Sequence, residues 1–463
     1  MADLARSQLG QLAAIVGERH VLTEGDAVAG YTVDWTGRFR GSTPAVVRPG
    51  STDEVAAVVV WCAANGVAVV PQGGNTGLVG GGVPLAGEVV LSLRRLDHLD
   101  EVDLRSGQVT VGAGATLEAV QQHASAAGLE IAVDLAARGS ATIGGMTATN
   151  AGGTRVLRHG PMRSQIAGIE AVVGDGSVIS HLGGLLKDNT GYDLAGLLCG
   201  SEGTLGVVTK VRLRLLPQSR CRTTVLVAVD DAAAALDCVT SARAGTDSLE
   251  AAELFFADGL ALVCAHLGSA PPFTETYGAY LLLECAAQTD PTDALVRALD
   301  GVGDRIRATA VATTIGRRRE LWRYREAHTE AIGATGVPHK LDVTLPLGAL
   351  AEFCRVIGGA VADAHPQTTT YLFGHLGDGN IHVNVTATRD AAAAPDRVDE
   401  VVLHLVSEFG GSISAEHGIG TAKARFLHLA RSPAEIATFR RIKAALDPAG
   451  ILNPNALFPP VVS

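Results

Sequence analysis

The stretch Pro71-Gln-Gly-Gly-Asn-Thr-Gly-Leu-Val-Gly-Gly-Gly82 carries six glycines between positions 73 and 82, directly after the β-branched run Val67-Ala-Val-Val70. A backbone so poor in side chains turns tightly, and its N–H groups approach an anion such as a pyrophosphate without interference from a Cβ. Taken alone, the cluster reads more readily as a flexible turn. Two further clusters change that balance: Gly139-Ser-Ala-Thr-Ile-Gly-Gly145 with Ala148-Thr-Asn-Ala-Gly-Gly153, and Gly200-Ser-Glu-Gly-Thr-Leu-Gly206. Three separate loops around one long ligand fit a dinucleotide better than ATP. The chain has neither G-x-x-x-x-G-K-[ST] nor a G-x-G-x-x-G opening a helix after a strand, so Walker and Rossmann arrangements are disfavoured.

Around the loops the pattern is mixed. Ser51-Thr-Asp-Glu54 is a capping box, and the apolar run behind it stops at Asn65-Gly66, which predicts a helix. Strands are expected at 67–70, 88–93, 108–111, 169–173 and 177–179, and 207–216 alternates apolar residues with Lys210, Arg212 and Arg214 up to Pro217. This first part reads as α+β, not as strictly alternating βαβ. Beyond a boundary near 217–222, strands at 223–229, 280–284 and 309–313 are interleaved with Ala-rich helical stretches such as 231–242, which predicts an antiparallel sheet covered by helices. A helix over 433–446 precedes a Pro- and Gly-rich tail.

Composition narrows the function classes. With 47% hydrophobic and 18% charged residues the chain can build substantial cores. A net charge of −11 leaves no basic stripe for nucleic acid. Seven cysteines without a C-x-x-C pair fit reduced thiols and a cytoplasmic location. The N-terminus lacks a basic region followed by an apolar one, and the longest apolar run, Val55 to Ala64, is too short to span a bilayer, so neither a signal peptide nor a transmembrane segment is expected.

The segments PQGGNTGLVGG, GSATIGGMTATNAGG, KDNTGYDL, GSEGTLGVVTKVRLRLLP, HKLDVTLP, GHLGDGNIHVN, EHGIG and DPAGILNP, spread over roughly residues 40 to 460, resemble the D-2-hydroxy-acid dehydrogenases of the vanillyl-alcohol-oxidase-type flavoprotein superfamily. The resemblance implies an α+β protein with a two-subdomain FAD-binding domain (1–220), an antiparallel-sheet substrate and metal domain covered by helices (221–410), and a C-terminal helical segment (411–463) returning to the FAD domain. It implies non-covalent FAD held by Gly73, Gly74, Asn75, Thr76, Gly77, Leu78, Ser140, Thr142, Gly145, Asn150, Gly152, Glu202, Gly206, Val208 and Asn453. His159 stands where the family has an aromatic residue.

Residues 371–376 and 380–385 are strand-like, and Gly377-Asp378-Gly379-Asn380 between them predicts a two-residue hairpin loop. In that register His375 faces His382, with Cβ atoms about 4.5–5.5 Å apart, and Asn384 shares their face. The pair either hydrogen-bonds within a polar face or, with Glu416 as a carboxylate from elsewhere, forms a two-His, one-carboxylate metal set. The resemblance implies the second: His375, His382 and Glu416 bind a divalent metal, zinc, and His417 is the catalytic base.

Residues 316–331 read as one helix with Trp322, Arg325 and Thr329 on a single face, and Lys340 projects away from Leu341, Val343 and Leu345. The resemblance implies that Arg325, Thr329, Lys340 and Asn384 bind substrate. The reading is oxidation of a small D-2-hydroxy acid to the 2-oxo acid by hydride transfer to flavin N5, with 2-hydroxyglutarate favoured because more cations are available than one carboxylate needs. D-lactate or glycolate is the alternative substrate. The expected electron acceptor is an electron-transfer protein, quinone or cytochrome, and a homodimer is allowed. Rival readings are a flavin subunit of a larger complex and a metallohydrolase whose glycine loops hold phosphates.

Overall fold

A computed structural model describes residues 4–387 and 395–459; the ends of the expected first and third domains, 1–3 and 460–463, lie outside them. The chain divides into two compact units, Met1–Gly153 with Gly160–Gln218 and Glu416–Ser463, and Thr154–His159 with Ser219–Ala415. The six residues Thr154–His159 thus leave the stretch 1–220 for the second unit.

In the first unit, β1 (Val21–Leu22), β2 (Val46–Val47), β3 (Val69–Gln72) and β4 (Val89–Ser92) form a sheet in the order β1-β2-β4-β3, with β2 and β3 both parallel to β4. The helix Thr52–Asn65 connects β2 to β3. Ser51 Oγ accepts from Glu54 N (3.2 Å) and Gly66 ends the helix in the left-handed region at φ 63°, as the capping box and Asn-Gly stop predict. Its Val55, Val58, Val59 and Cys62 pack with Val47, Val69, Val89 and Leu91. The first glycine loop is what joins β3 to β4. A second, antiparallel sheet runs β5-β9-β7-β8, from β5 (Gln108–Gly112), β7 (Ile166–Val172), β8 (Val178–His181) and β9 (Val207–Arg214), beside the short pair β6 (Leu129–Glu130) and β10 (Leu216–Pro217). In β9, Val207, Val211 and Leu213 are buried while Lys210, Arg212 and Arg214 are half-buried, the alternation of a sheet with one wet face.

The second unit is built on β11 (Cys221–Val229), β12 (Leu249–Phe256), β13 (Ala279–Ala287), β14 (Ile306–Ala312), β15 (His339–Thr344), β16 (Thr368–His375) and β17 (Asn380–Ala387), in the order β14-β11-β13-β12-β16-β17-β15 and antiparallel throughout. On one face Leu226, Tyr280, Leu282, Phe255 and Phe373 form a core with Leu260, Leu321 and Ile332 from the covering helices. The strand β12, fourth of seven in this sheet, was not expected from the sequence.

Two local expectations are corrected. The hairpin between β16 and β17 does not close through a two-residue loop. Leu376–Asp378 forms a 3-10 turn, and Gly379 follows at φ 82°. Leu376 is fully buried and Gly377 lies against Leu157, which draws both residues out of the ladder. His375 therefore faces Asn380, and His382 faces Phe373. The pairing slips by two positions, so the alternation of the strand keeps both histidines on one face. The helix expected over 316–331 is split into Ile315–Glu326 and His328–Ala334. His328 Nδ1 takes the Arg325 carbonyl (3.1 Å), an acceptor that a continued helix would give to the N–H four residues on.

Gly379 combines positive φ with a position where a Cβ would strike the Leu345 carbonyl. Gly379→Ala should destabilise the protein by about 1–3 kcal/mol, read as a lower urea midpoint with an unchanged m-value.

Candidate active site

Within the first unit, side chains latch the glycine loops together. Gly73 and Gly74 pass so close to Thr142 and Ser140 that a Cβ on either would collide with them. Thr142 Oγ1 caps the helix Ile143–Thr149, accepting from Gly145 N (3.4 Å). Arg94 donates to the carbonyls of Gly73 and Gly74 (3.2 Å each), and Asn75, at φ 56°, donates its side-chain amide to Val33 O (2.8 Å). Among the described residues, the backbone N–H groups of 74–77 donate to no protein acceptor. Thr76 and Leu78 are half-buried and Gly77 is exposed, so these donors lie at an accessible crest. Free backbone N–H groups on a loop poor in side chains are the arrangement that suits an anion.

The remaining candidates knit the other loops to it. Asn150 closes its helix in the left-handed region and accepts from Arg163 N (2.9 Å). Glu202, at φ 54°, donates its N–H to Ala148 O (2.7 Å) while its carboxylate accepts from Ile419 N (2.8 Å) and Gly420 N (2.6 Å). Burial pushes the Glu202 carboxyl above its ordinary pKa, against the pull of those two N–H groups. Asn453 donates to Gly81 O (2.9 Å) and Glu202 O (2.7 Å). Gly152, Gly206 and Val208 are buried behind these contacts. The Glu-His-Gly segment joins the same group of loops. Glu416 accepts from Gly153 N (2.5 Å), Gly418 at φ 83° sits against the Glu202 carboxylate, and Thr421 N donates to Val79 O (2.9 Å). His417 stands between these anchors.

In the second unit the chemistry lies on one face of the sheet. Pairing places Glu253 opposite His375, Asp342 opposite His382, and Lys340 opposite Asn384. His375 Nδ1 meets Glu253 Oε1 at 2.6 Å and His382 Nδ1 meets Asp342 Oδ1 at 3.2 Å. The two rings stand edge to face with centroids 5.2 Å apart, and their ligand nitrogens lie within 4.8 Å of each other. Arg325 reaches down from the helix Ile315–Glu326 to Glu253 Oε2 (2.8 Å) and lies over the Phe373 ring at 4.6 Å. Glu253 has no exposed surface. Burial raises its pKa, but His375 and Arg325 outweigh that and hold it below the ordinary carboxylate value. Burial lowers the pKa of His382 and of Lys340. Ala415, last residue of this unit, donates its N–H to Asp342 O (3.4 Å), and the chain continues directly into Glu416 and His417.

Asn384 is buried on this face, donating to His382 O (3.4 Å), and Lys340 is half-buried beside it. Thr329, beyond the helix break, is exposed. Trp322 Nε1 donates to Glu284 (2.8 Å) and His159 Nε2 meets Glu250 (3.2 Å). Sequence reasoning missed Glu253 and the roles of Asp342 and Asn380, whose Nδ2 donates to Asp342 (2.9 Å). The available signal was two carboxylates, Glu250 and Glu253, in the otherwise apolar run 249–256.

Residues 43–181 match the FAD binding domain and residues 218–457 match the C-terminal domain of the FAD linked oxidases. The chain belongs to the FAD-linked oxidase family. Along nearly its full length it is similar to D-2-hydroxyglutarate dehydrogenases: 41% identical over 444 residues to that of Xanthomonas citri pv. viticola (92% of each chain), 37% over 464 residues to the mitochondrial protein of Bos taurus (98% of this chain, 84% of that one), and 34% over 467 residues to that of Stutzerimonas stutzeri (97% and 98%). It shares the fold of p-cresol methylhydroxylase (TM-score 0.77, 16% identity, 98% and 96% covered) and of 4-ethylphenol oxidase from Gulosibacter chungangensis (TM-score 0.73, 19% identity, 99% of each). These are flavoproteins of the vanillyl-alcohol-oxidase type, and the α+β reading holds. Family membership sets the metallohydrolase reading aside. No described helix is long and apolar enough to cross a membrane.

Glu253→Gln leaves Arg325 buried beside a neutral group and should cost about 3–5 kcal/mol at neutral pH. Because the folded-state pKa of Glu253 is depressed, its contribution is fully present above the unfolded carboxylate pKa and is lost as pH falls through the folded value. Urea titrations should therefore show the gap between wild type and variant narrowing as the medium is acidified below the ordinary carboxylate range.

Proposed function

We propose that the protein oxidises D-2-hydroxyglutarate to the corresponding 2-oxo acid, with FAD in the loops of the first unit and a divalent cation at the histidine face of the second. One observation carries the site reading: His375 and His382 share a face, and each holds its Nδ1 on a buried carboxylate. A carboxylate that accepts the Nδ1 proton fixes the tautomer and presents Nε2 as a neutral donor, the usual support of a metal-binding imidazole. Two imidazoles with a carboxylate suit zinc, and Glu416 is the third ligand by the family resemblance. When bound, the cation supplies Lewis-acid polarisation and the flavin supplies the two-electron acceptor.

The chain's own residues do the rest. His417 takes the proton of the C2 hydroxyl, held in place by the anchors on Glu416 and Gly418. Arg325, Lys340 and Asn384 line the sheet face and bind the carboxylates, with Thr329 as a further hydroxyl donor by resemblance. Lys340 gains most from a dicarboxylate, since burial weakens its charged form and an anion restores it.

The test is to add D-2-hydroxyglutarate, its L-enantiomer, D-lactate and glycolate in turn to FAD-loaded protein under anaerobic conditions and follow flavin absorbance. D-2-hydroxyglutarate should bleach the flavin fastest; preference for lactate or glycolate would move the substrate assignment, and no bleaching by any of the four would overturn the reaction. His375→Ala and His382→Ala should each keep a full complement of FAD, lose the metal and stop bleaching, and chelation should reproduce them.

A further inference from the structure

We infer that Glu253 is the positioning residue that joins metal binding to anion recognition on this face, one carboxylate oxygen setting the ligating nitrogen of His375 and the other setting the place of the Arg325 guanidinium. The inference deepens the proposed function and rests on it. Glu253 and His375 are cross-strand neighbours on β12 and β16, so Oε1 reaches Nδ1 (2.6 Å) without leaving the ladder. Oε2 faces the covering helix and forms an ion pair with Arg325 Nη2 (2.8 Å) without hydrogen-bond geometry, and the guanidinium also lies over the flat face of Phe373. That ring lies tilted, 5.0 Å from the ring of His382, so guanidinium, aromatic ring and both imidazoles form one packed cluster beside the fully buried carboxylates of Glu253 and Asp342. An arginine fork fixed on one side by a carboxylate and on one face by a ring keeps its remaining N–H donors in a defined direction. Arg325 Nε is buried and has no protein partner among the described residues.

Asp342 gives the internal comparison. Its Oδ1 receives His382 Nδ1 (3.2 Å) and the neutral amide of Asn380 (2.9 Å). Both carboxylates orient a histidine, but Glu253 alone of the two also holds Arg325.

Zinc affinity of the FAD-loaded protein is measured by competition with a chromophoric chelator, alongside kcat/KM for D-2-hydroxyglutarate and D-lactate with one dye acceptor. Glu253→Gln should weaken zinc ten- to a hundredfold and lower the hydroxyglutarate-to-lactate ratio of kcat/KM at least tenfold. Asp342→Asn should weaken zinc to a similar degree and leave that ratio unchanged. Because a buried, unpaired Arg325 threatens folding of the single variant, Glu253→Gln is also combined with Arg325→Met, which removes both charges together. Zinc binding should stay weak in the double variant. Wild-type zinc affinity in either Glu253 variant, or an unchanged substrate ratio in Glu253→Gln, overturns the inference alone. Failure of the wild type to bind zinc overturns the metal reading and this inference together.

Discussion

Burying a carboxylate in the middle strand of a seven-stranded sheet costs several kcal/mol unless positive partners are buried with it. Glu253 on β12 meets that condition with Arg325 from the covering helix, and the Nδ1 of His375 from β16 satisfies its other oxygen. The requirement reaches further than the pair contacts. It fixes the rotation of an imidazole, the depth of a guanidinium and the packing of Phe373 against both. The apolar residues Phe255, Tyr280 and Leu282 pack directly beside these polar groups on the same face. Functional side chains placed on paired strands inherit the precision of the ladder, whereas the same side chains on a loop would have to be ordered separately.

The first unit solves its binding problem in the opposite way. In its first glycine loop the backbone amides of 74–77 donate to no protein acceptor among the described residues, and side chains from other segments hold the loop in place. Six described non-glycine residues have positive φ, and Asn75, Asn150, Glu202 and Asn453 are four of them. Each then makes a specific cross-link to another segment, so the conformational cost of about 1–3 kcal/mol apiece is borne where the loops must meet. Strain concentrated in this way marks loops whose mutual positions are fixed by the fold itself.

Much of this was legible in the sequence. The helix Pro433–Leu446 begins after Ser432 and the helix Thr52–Asn65 after Ser51, because hydroxyl caps and the glycine or acidic residues around them are local signals. The glycine loops were found because absence of side chains is itself a pattern. The histidine hairpin was read on the right face with the wrong register, since alternation survives a slip of two whereas turn geometry depends on where Leu376 is buried. β12 was invisible because Glu250 and Glu253 interrupt its apolar pattern, and their partners lie far away in sequence. The single helix over 316–331 failed for a related reason: nothing local in Arg325-Glu-Ala-His328 announces that an imidazole will take a backbone carbonyl.

The order in which the chain is written has a consequence for how it matures. Asn453, which ties Gly81 to Glu202, follows both loops in the chain, and Lys443 and Asp447 anchor its segment to Thr204 and Leu452 nearby. The glycine loops leave the ribosome hundreds of residues earlier, followed by the whole of β11 to β17. Until the last segment arrives, the cradle lacks the strut that joins two of its loops. Contacts made early, of Gly73 on Thr142, Gly74 on Ser140 and Glu202 on Ala148, can set each loop against its neighbour, and the Asn453 amide is the late piece that spans Gly81 and Glu202.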